Sequence, residues 1–342
     1  MMLQAMPASR VPDPMDAPVL RWGIMGPGWI ADLFTKALQA HTRQVVAAVG
    51  SRSLERSEAF AAQHGIASAY GSYEELAAAD DVDVVYVATP HNFHHAAAVL
   101  ALAAGKHVLI EKPIALNAAE ARDIRDRAAA AGLMATEALW SFFLPKFDVA
   151  RQVLESGTLG ELTTVITEYG EFYDPSNRIF DPALAGGPLL DLGTYPLALI
   201  TSMLGEPSQV KAIGTDHTTG VNGQISAIMS FAGGAQAIVN TQLHNFTPTA
   251  ASLVGRKATL NFDGMFNRPG GFAVNYPDGT VLRYDEPTGA HVDGLHFQAA
   301  AVARSIHAGD RGVPERPLSE SITTMDVADE IRRQLGIVYP GE

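Results

Sequence analysis

Three groups of residues in this chain have the types and spacings of reaction chemistry. The first is Gly26-Pro27-Gly28-Trp29-Ile30-Ala31, a G-x-G-x-x-A run between an apolar segment and a helical one. Glycines at that spacing let backbone amides and a helix N-terminus close on a pyrophosphate, and alanine can replace the third glycine. Alone the run would fit any tight strand-to-helix turn; its place in the first βα unit of an alternating pattern points to a dinucleotide. The second strand then ends without the acidic side chain that would accept hydrogen bonds from the ribose of NAD. It runs instead into Ser51-Arg52-Ser53-Leu54-Glu55-Arg56, where a hydroxyl and two guanidinium groups suit a 2′-phosphate. Gly26, Gly28, Trp29, Ile30, Ser51, Arg52 and Arg56 thus predict an NADP(H) site. Solvated charge is the plain alternative for the two arginines, but a helix dipole disfavours basic residues at its start unless an anion compensates.

The second group is Lys112, directly after the apolar run Val108 to Ile110, at the carboxyl edge of a parallel sheet where ligands bind. The third is Asp191 with Tyr195, four residues apart in a segment able to begin a helix, so that their side chains would share one face. Read plainly, the lysine is a solvated charge, the aspartate a helix cap and the tyrosine a packing residue. In Thr89-Pro90-His91-Asn92-Phe93-His94-His95 the imidazoles could gather as metal ligands, but no acidic or thiolate partner adjoins them, and no metal site is expected. His291, His296 and His307 show no grouping and read as surface or packing residues.

The elements that must position these groups follow from apolar patterning. Short apolar runs (Leu20 to Met25, Val45 to Gly50, Val82 to Ala88, Val108 to Ile110, Leu133 to Thr136) alternate with helical stretches. The helices start near Trp29 and Leu54 and continue at Ala96 to Ala104 and Ala118 to Ala131. Such alternation indicates βαβ units and a doubly wound parallel sheet buried on both faces. After about Glu137 the texture changes. A helix near Lys146 to Glu155 is followed by strand-like runs at Leu162 to Tyr169, Gln209 to Ile213, Gln224 to Phe231, Ala235 to Leu243 and Ala258 to Phe262. A hairpin at Ala-Gly-Gly and a turn at Pro277-Asp278-Gly279 suggest a mostly antiparallel open sheet. Helices at about His296 to Ala308 and Ser319 to Leu335 close the chain. The expected organisation is a disordered, proline-rich tail over 1–18, a dinucleotide-binding domain over 19–137, and an α/β domain over 138–342 whose last helix packs back on the first.

With 342 residues the chain can bury two cores, and a net charge of -13 argues against a phosphate-neutralising surface for nucleic acid. There is no cysteine, which excludes disulfides and thiol nucleophiles. No apolar run reaches the roughly eighteen residues of a membrane span, and residues 1–18 lack the basic start and apolar core of a signal peptide. A cytoplasmic protein without membrane or nucleic-acid partners is expected.

From Glu111-Lys112-Pro113 onward the sequence resembles the glucose-fructose oxidoreductase and inositol dehydrogenase superfamily (Gfo/Idh/MocA). The stretches Glu137-Ala-Leu-Trp140, Gly157-Thr-Leu-Gly160, Arg178-Ile-Phe-Asp181-Pro182 and Gly186-Gly-Pro-Leu-Leu-Asp191-Leu-Gly-Thr-Tyr195-Pro196 resemble its dihydrodiol dehydrogenase and NADP-dependent D-xylose dehydrogenase branch. The resemblance implies a Rossmann domain followed by an α/β domain whose open sheet forms the oligomer interface in homodimers or homotetramers. It implies cofactor contacts from Thr89, Pro90, Asn92, His94, Glu111, Lys112 and Trp140. It also implies that Lys112 stands between nicotinamide and substrate, facing Asp191 and Tyr195. A cation near the phenol would favour tyrosinate below the roughly pH 10 of free tyrosine, which leaves open whether Tyr195 or Lys112 moves the proton. Trp140, Phe172, Tyr173 and Arg178 could line a substrate pocket whose aromatic wall suits a pyranose or an arene diol. Relatives often carry Arg two positions after the Trp of Glu-x-x-Trp; this chain has Phe142, so a polar contact is missing and an altered substrate range is expected.

The chain therefore reads as an NADP(H)-dependent oxidoreductase moving a hydride between nicotinamide and a sugar or cyclic diol. The alternatives are a nicotinamide-dependent glycosidase of the same fold and a non-catalytic dinucleotide sensor.

Overall fold

The computed structural model of the chain describes residues 3–342. They form two compact units, one made of Pro12–Phe143 with Ala290–Ser321, the other of the residues up to Val11 with Leu144–Gly289 and Ile322–Glu342.

The first unit is built on β1 (Arg21–Met25), β2 (Val45–Gly50), β3 (Ser68–Tyr70), β4 (Val84–Val87), β5 (His107–Glu111) and β6 (Ala135–Ala138). All are parallel, in the order β3-β2-β1-β4-β5-β6. Helices α1 (Trp29–His41), α2 (Leu54–His64), α3 (Tyr73–Ala77), α4 (His94–Ala103) and α5 (Ala118–Ala131) connect them. The apolar runs are strands because both faces are covered: every residue of β4 is buried. Trp22 of β1 sits edge-on to Phe34 of α1 and donates its indole N–H to Gln44. Ser53 caps α2 and Asn117 caps α5, while Gly65 and Gly132 end those helices.

The second unit contains α6 (Pro145–Glu155), β7 (Leu162–Gly170), the short α7 (Pro188–Asp191), α8 (Thr194–Leu204), β8 (Gln209–Asp216), β9 (Asn222–Ser230) and β10 (Gln236–Gln242). After these come β11 (Ala251–Gly255), β12 (Thr259–Phe262), β13 (Phe272–Asn275) and β14 (Val281–Tyr284). Its eight strands run β14-β13-β12-β11-β7-β10-β9-β8, antiparallel except for the β7–β10 pair. The Ala-Gly-Gly hairpin joins β9 to β10 with both glycines at positive φ. One sheet face is packed against α7 and α8. On the other, Ile166, Ile238 and Ile228 stand in register across three strands and, with Ile213, are exposed.

The units differ from the expected domains at both chain ends. α9 (Leu295–Ala308) returns to the first unit, where it packs on α1 and its Ala300 and Ala303 close on Ala17. α10 (Leu318–Leu335) belongs from Ile322 onward to the second unit, where Thr324 meets Thr201 and Gln334 bonds both Val210 and Ala212 of β8. The helix packing back is thus the penultimate one. The tail expectation also changes over residues 3–18. The Arg10 backbone N–H and guanidinium reach Asp148 of α6 at 2.6–3.0 Å, and Ala17 is 2% exposed. The prolines leave only a single 3-10 turn, Pro14–Asp16 capped by Asp13, and do not prevent ordered contacts. Residues 1 and 2 lie outside the described residues.

Candidate active site

In the first unit the glycine loop is shaped as its residues predict. Gly26 has φ +97°, and a Cβ there would come within 3.1 Å of the Ala88 carbonyl and the Thr89 amide. Only glycine tolerates both the backbone angle and the approach. Gly28 is the N-cap of α1, with no side-chain cap bond and open space where its Cβ would be. The first amides of α1, including those of Trp29 and Ile30, are left without intrahelical acceptors, which is the arrangement that takes a phosphate. Beside the loop, Thr89 Oγ1 and Asn92 Oδ1 are buried without a hydrogen-bond partner among the described residues. Buried polar atoms are rarely left so, and a ribose or carboxamide would satisfy them. The residues present therefore fit a dinucleotide.

At the end of β2 the expected trio separates. Ser51 is 4% exposed; its hydroxyl donates to Ser53 O and accepts from the Ser53 N–H and the Ser57 hydroxyl. The hydroxyl shapes the turn into α2. Arg52 and Arg56 remain exposed and make no ion pair among the described residues. Arg52 lies 5.4 Å over the Phe93 ring, and both guanidinium charges reach the phenol of Tyr73, opposing the rise that burial causes there.

Glu111, Lys112 and their neighbours sit at the carboxyl end of β5. Glu111 is buried; its carboxyl accepts from the Tyr86 hydroxyl and, at 3.1 Å, from the Lys112 N–H. Burial pushes this carboxyl up to about 7 against the pull of Tyr86 and Lys112. Glu111 thus holds the turn bearing Lys112, and its contacts are internal. The Lys112–Pro113 peptide is cis. His94 is 1% exposed, with Nδ1 2.7 Å from Pro113 O and Nε2 2.8 Å from Thr89 O. Both ring nitrogens face these carbonyls. His95 faces Asp123 at 2.7 Å, so these imidazoles turn to different partners.

Trp140 is 1% exposed and follows β6. His291, from the turn ahead of α9, lies between two indoles, 5.2 Å from the Trp29 ring and 5.0 Å from that of Trp140. It was expected to be a surface or packing residue; nothing in its local sequence marks it, because it arrives from a segment some 150 residues after Trp140 in the chain. Glu137 was likewise passed over as a functional anchor. It is 1% exposed and takes the Ile114 N–H, two guanidinium N–H groups of Arg316 and the Ser321 hydroxyl. Arg316, fully buried, stacks 5.4 Å over Phe142. The position where relatives often place arginine is thus packed under a guanidinium supplied by another segment.

In the second unit Asp191 ends α7, 6% exposed, and pairs with Arg178 at 3.0 Å. Tyr195, 5% exposed, is the second residue of α8, its ring 5.9 Å from that of Tyr169. The two are not four residues along one helix. The segments before and after Gly193 bend by 46°, and the Gly193 N–H reaches back to Pro188 O at 2.7 Å. A Cβ on Gly193 would meet Leu189 O at 2.5 Å, so glycine permits the break. Glu171, which sequence reasoning missed, accepts from both the Tyr169 and Tyr173 hydroxyls at 2.9 and 3.0 Å. Burial and this anion push both phenols up, keeping them protonated donors. Phe172 is exposed and faces Phe246 at 6.3 Å. A groove of about 580 Å³ between β8 and α10, lined by Lys211, Asp326, Glu330 and Arg333 among others, contains none of these residues.

A parallel sheet in this strand order, a glycine loop opening α1 and orphaned oxygens beside it define a dinucleotide-binding oxidoreductase of the Rossmann type. The chain belongs to the GFO/IDH/MocA family. Residues 20–139 match its oxidoreductase model with an NAD-binding Rossmann fold, and residues 147–261 match its C-terminal domain. The chain is 36% identical over 332 residues to the trans-1,2-dihydrobenzene-1,2-diol dehydrogenase of Bos taurus, covering 94% of this chain and 98% of that one. The human enzyme of that name is 35% identical over 328 residues, with the same coverage. The fold is shared with a levoglucosan dehydrogenase solved with NADH and levoglucosan, at TM-score 0.84 and 19% identity over 95% of this chain and 100% of that one. It is also shared with a 3-ketoreductase from Actinomadura kijaniata solved with TDP-benzene and NADP, at TM-score 0.78 and 23% identity over 92% of this chain and 97% of that one. The neighbours hold either nicotinamide dinucleotide, so the choice between them rests on this chain's own residues. Among the described residues no single helix is long and apolar enough to cross a membrane, and no group of three metal-ligating side chains occurs.

Proposed function

We propose that the chain is an NADP(H)-dependent dehydrogenase oxidising a CH–OH group of a cyclic diol or sugar. The observation that carries the cofactor choice is the pair Arg52 and Arg56, two exposed guanidinium groups at the start of α2 with no anionic partner among the described residues. The helix dipole opposes cations there, and a 2′-phosphate would turn that cost into two charge-assisted contacts. Gly26, Gly28 and the first amides of α1 hold the pyrophosphate, while Thr89, Pro90 and Asn92 line the site beyond it. Trp29 and Trp140, braced by His291, wall it.

The bound nicotinamide supplies the hydride chemistry. Lys112 places a cation at the oxygen of the reacting carbon, stabilising negative charge as the hydroxyl proton leaves. Tyr195 acts as the phenolate and accepts that proton on its oxygen, ending the step as the neutral phenol. Asp191, oriented by Arg178, accepts a second substrate hydroxyl. Tyr169 and Tyr173, whose O–H protons are committed to Glu171, offer their phenol oxygens as acceptors on the same unit, and Phe172 with Phe246 gives an aromatic face. That combination suits a ring carrying vicinal hydroxyls, which matches the name of the 36%-identical relatives. A spectrophotometric screen of trans-dihydrodiols, aldoses and polyols with NADP+ and NAD+ tests the reading. Dihydrodiol-dependent NADPH formation is expected. Turnover of glycosides with no net NADPH would move the chain to transient-oxidation hydrolysis.

We also propose that a second copy covers the isoleucine row of the open sheet. Three aligned exposed isoleucines across β7, β10 and β9 form an apolar stripe of the kind buried in homodimers. Ile238→Glu should convert the dimer or tetramer to monomer in light scattering, and a monomeric wild type would refute it.

A further inference from the structure

A neutral imidazole has one N–H and one lone pair, yet His94 has a carbonyl oxygen within 2.8 Å of each ring nitrogen. Neither Thr89 O nor Pro113 O receives another hydrogen bond from the described residues. In either neutral tautomer a lone pair would point at a buried carbonyl, leaving it unmet. Only the doubly protonated ring serves both. We infer that His94 is held as an imidazolium and is a positioning residue, clamping the Thr89-Pro90 loop to the Lys112-Pro113 turn.

The surrounding charges leave this arrangement intact. On the elements packed against α4, the Glu111 carboxyl is engaged by Tyr86 and the Lys112 N–H, the Glu120 carboxylate by the Leu116 N–H, and Asp123 by His95 and Arg127. His91 is edge-on to His94 at 6.5 Å, and His107 binds the Met134 N–H. Glu74 and Glu75 lie on α3. The Lys112 cation and the dipole of α4 oppose charge on the ring; two charge-assisted hydrogen bonds to carbonyls outweigh a terminal dipole. Since the clamp needs both protons, it holds below the pKa of the ring and is lost as pH rises through it. This rests on Lys112 being catalytic, because Pro113 is the residue next to it.

The test is nitrogen NMR of wild-type protein labelled at its imidazole nitrogens, with the His94 signals assigned by His94→Gln. Both His94 nitrogens should carry protons at neutral pH and keep them while exposed histidines lose theirs. A bare lone pair on either nitrogen in the folded protein overturns the proposal. If His94→Gln does not fold, substituting the other histidines one at a time assigns the signals by elimination. Glutamine keeps a single donor nitrogen, which reaches one carbonyl and leaves only an acceptor oxygen for the other. Its kcat should fall by about a hundredfold, the cost of misplacing a reacting group by roughly 1 Å, and the alkaline limb of the kcat profile should disappear. An unchanged kcat and profile would refute the clamp. Should Lys112 prove dispensable, only the kinetic arm fails; the doubly protonated ring is read independently.

Discussion

Replacing Arg52 and Arg56 together by alanine isolates the phosphate-recognition argument. Among the described residues neither guanidinium has an ion-pair partner to leave exposed by its loss, so the double variant should fold as the parent does. Arg52 is already restrained over the Phe93 ring, which lowers the ordering cost of gripping an anion. A hydrogen bond to a charged group contributes about 1.5–3 kcal/mol. Both arginines are solvent-exposed and screened, so the lower figure applies to each, giving about 3 kcal/mol together, or about a hundredfold. The double variant should therefore lose about a hundredfold in kcat/KM for NADP+ while NAD+ values stay put, and the wild-type advantage should shrink at high salt. Steady-state kinetics with both dinucleotides at two ionic strengths measures this. Ser51→Ala is the control: its hydroxyl bonds only within the turn, so stability should drop while the NADP+/NAD+ ratio holds. A wild type preferring NAD+, or a double variant keeping its NADP+ preference, refutes the reasoning.

Lys112→Met should lower kcat by about a hundred- to ten-thousand-fold, while tryptophan quenching still reports dinucleotide binding. The Glu111 carboxyl, raised to about 7, makes the folded state bind a proton that the unfolded chain releases near pH 4 to 5. Stability contributed by this group is therefore present at acid pH and lost as pH rises through about 7; Glu111→Gln should flatten that part of a denaturation-versus-pH curve. Glu137→Gln strips the charge facing buried Arg316 and should cost about 3–5 kcal/mol in urea unfolding. Phe142→Arg, restoring the residue frequent in relatives, should also destabilise, since it buries a second guanidinium where Arg316 already lies.

Much of this protein is decided locally. Apolar runs bounded by glycine and capping residues specify the βα alternation, and Gly26 is required by backbone conformation and clearance, both visible as a motif. Arg52 and Arg56 are legible for the same reason: helix start, charge and missing acid lie within a few residues. What residue type and spacing did not show was which hydrogen bonds and bends the folded chain makes, some with near neighbours and some with distant segments. The Ser51 hydroxyl bonds Ser53 and Ser57, which its residue type and place in the motif do not show. Asp191 and Tyr195 looked like one helix face, but Gly193 allows a bend that a spacing rule cannot see. His291 between two indoles, Arg316 over Phe142, and α9 returning to the first unit are products of chain reversal through a whole intervening sheet. Periodicity and motif report which groups a segment offers; hydrogen bonds and packing use them up, and only the tertiary structure decides which remain for a ligand.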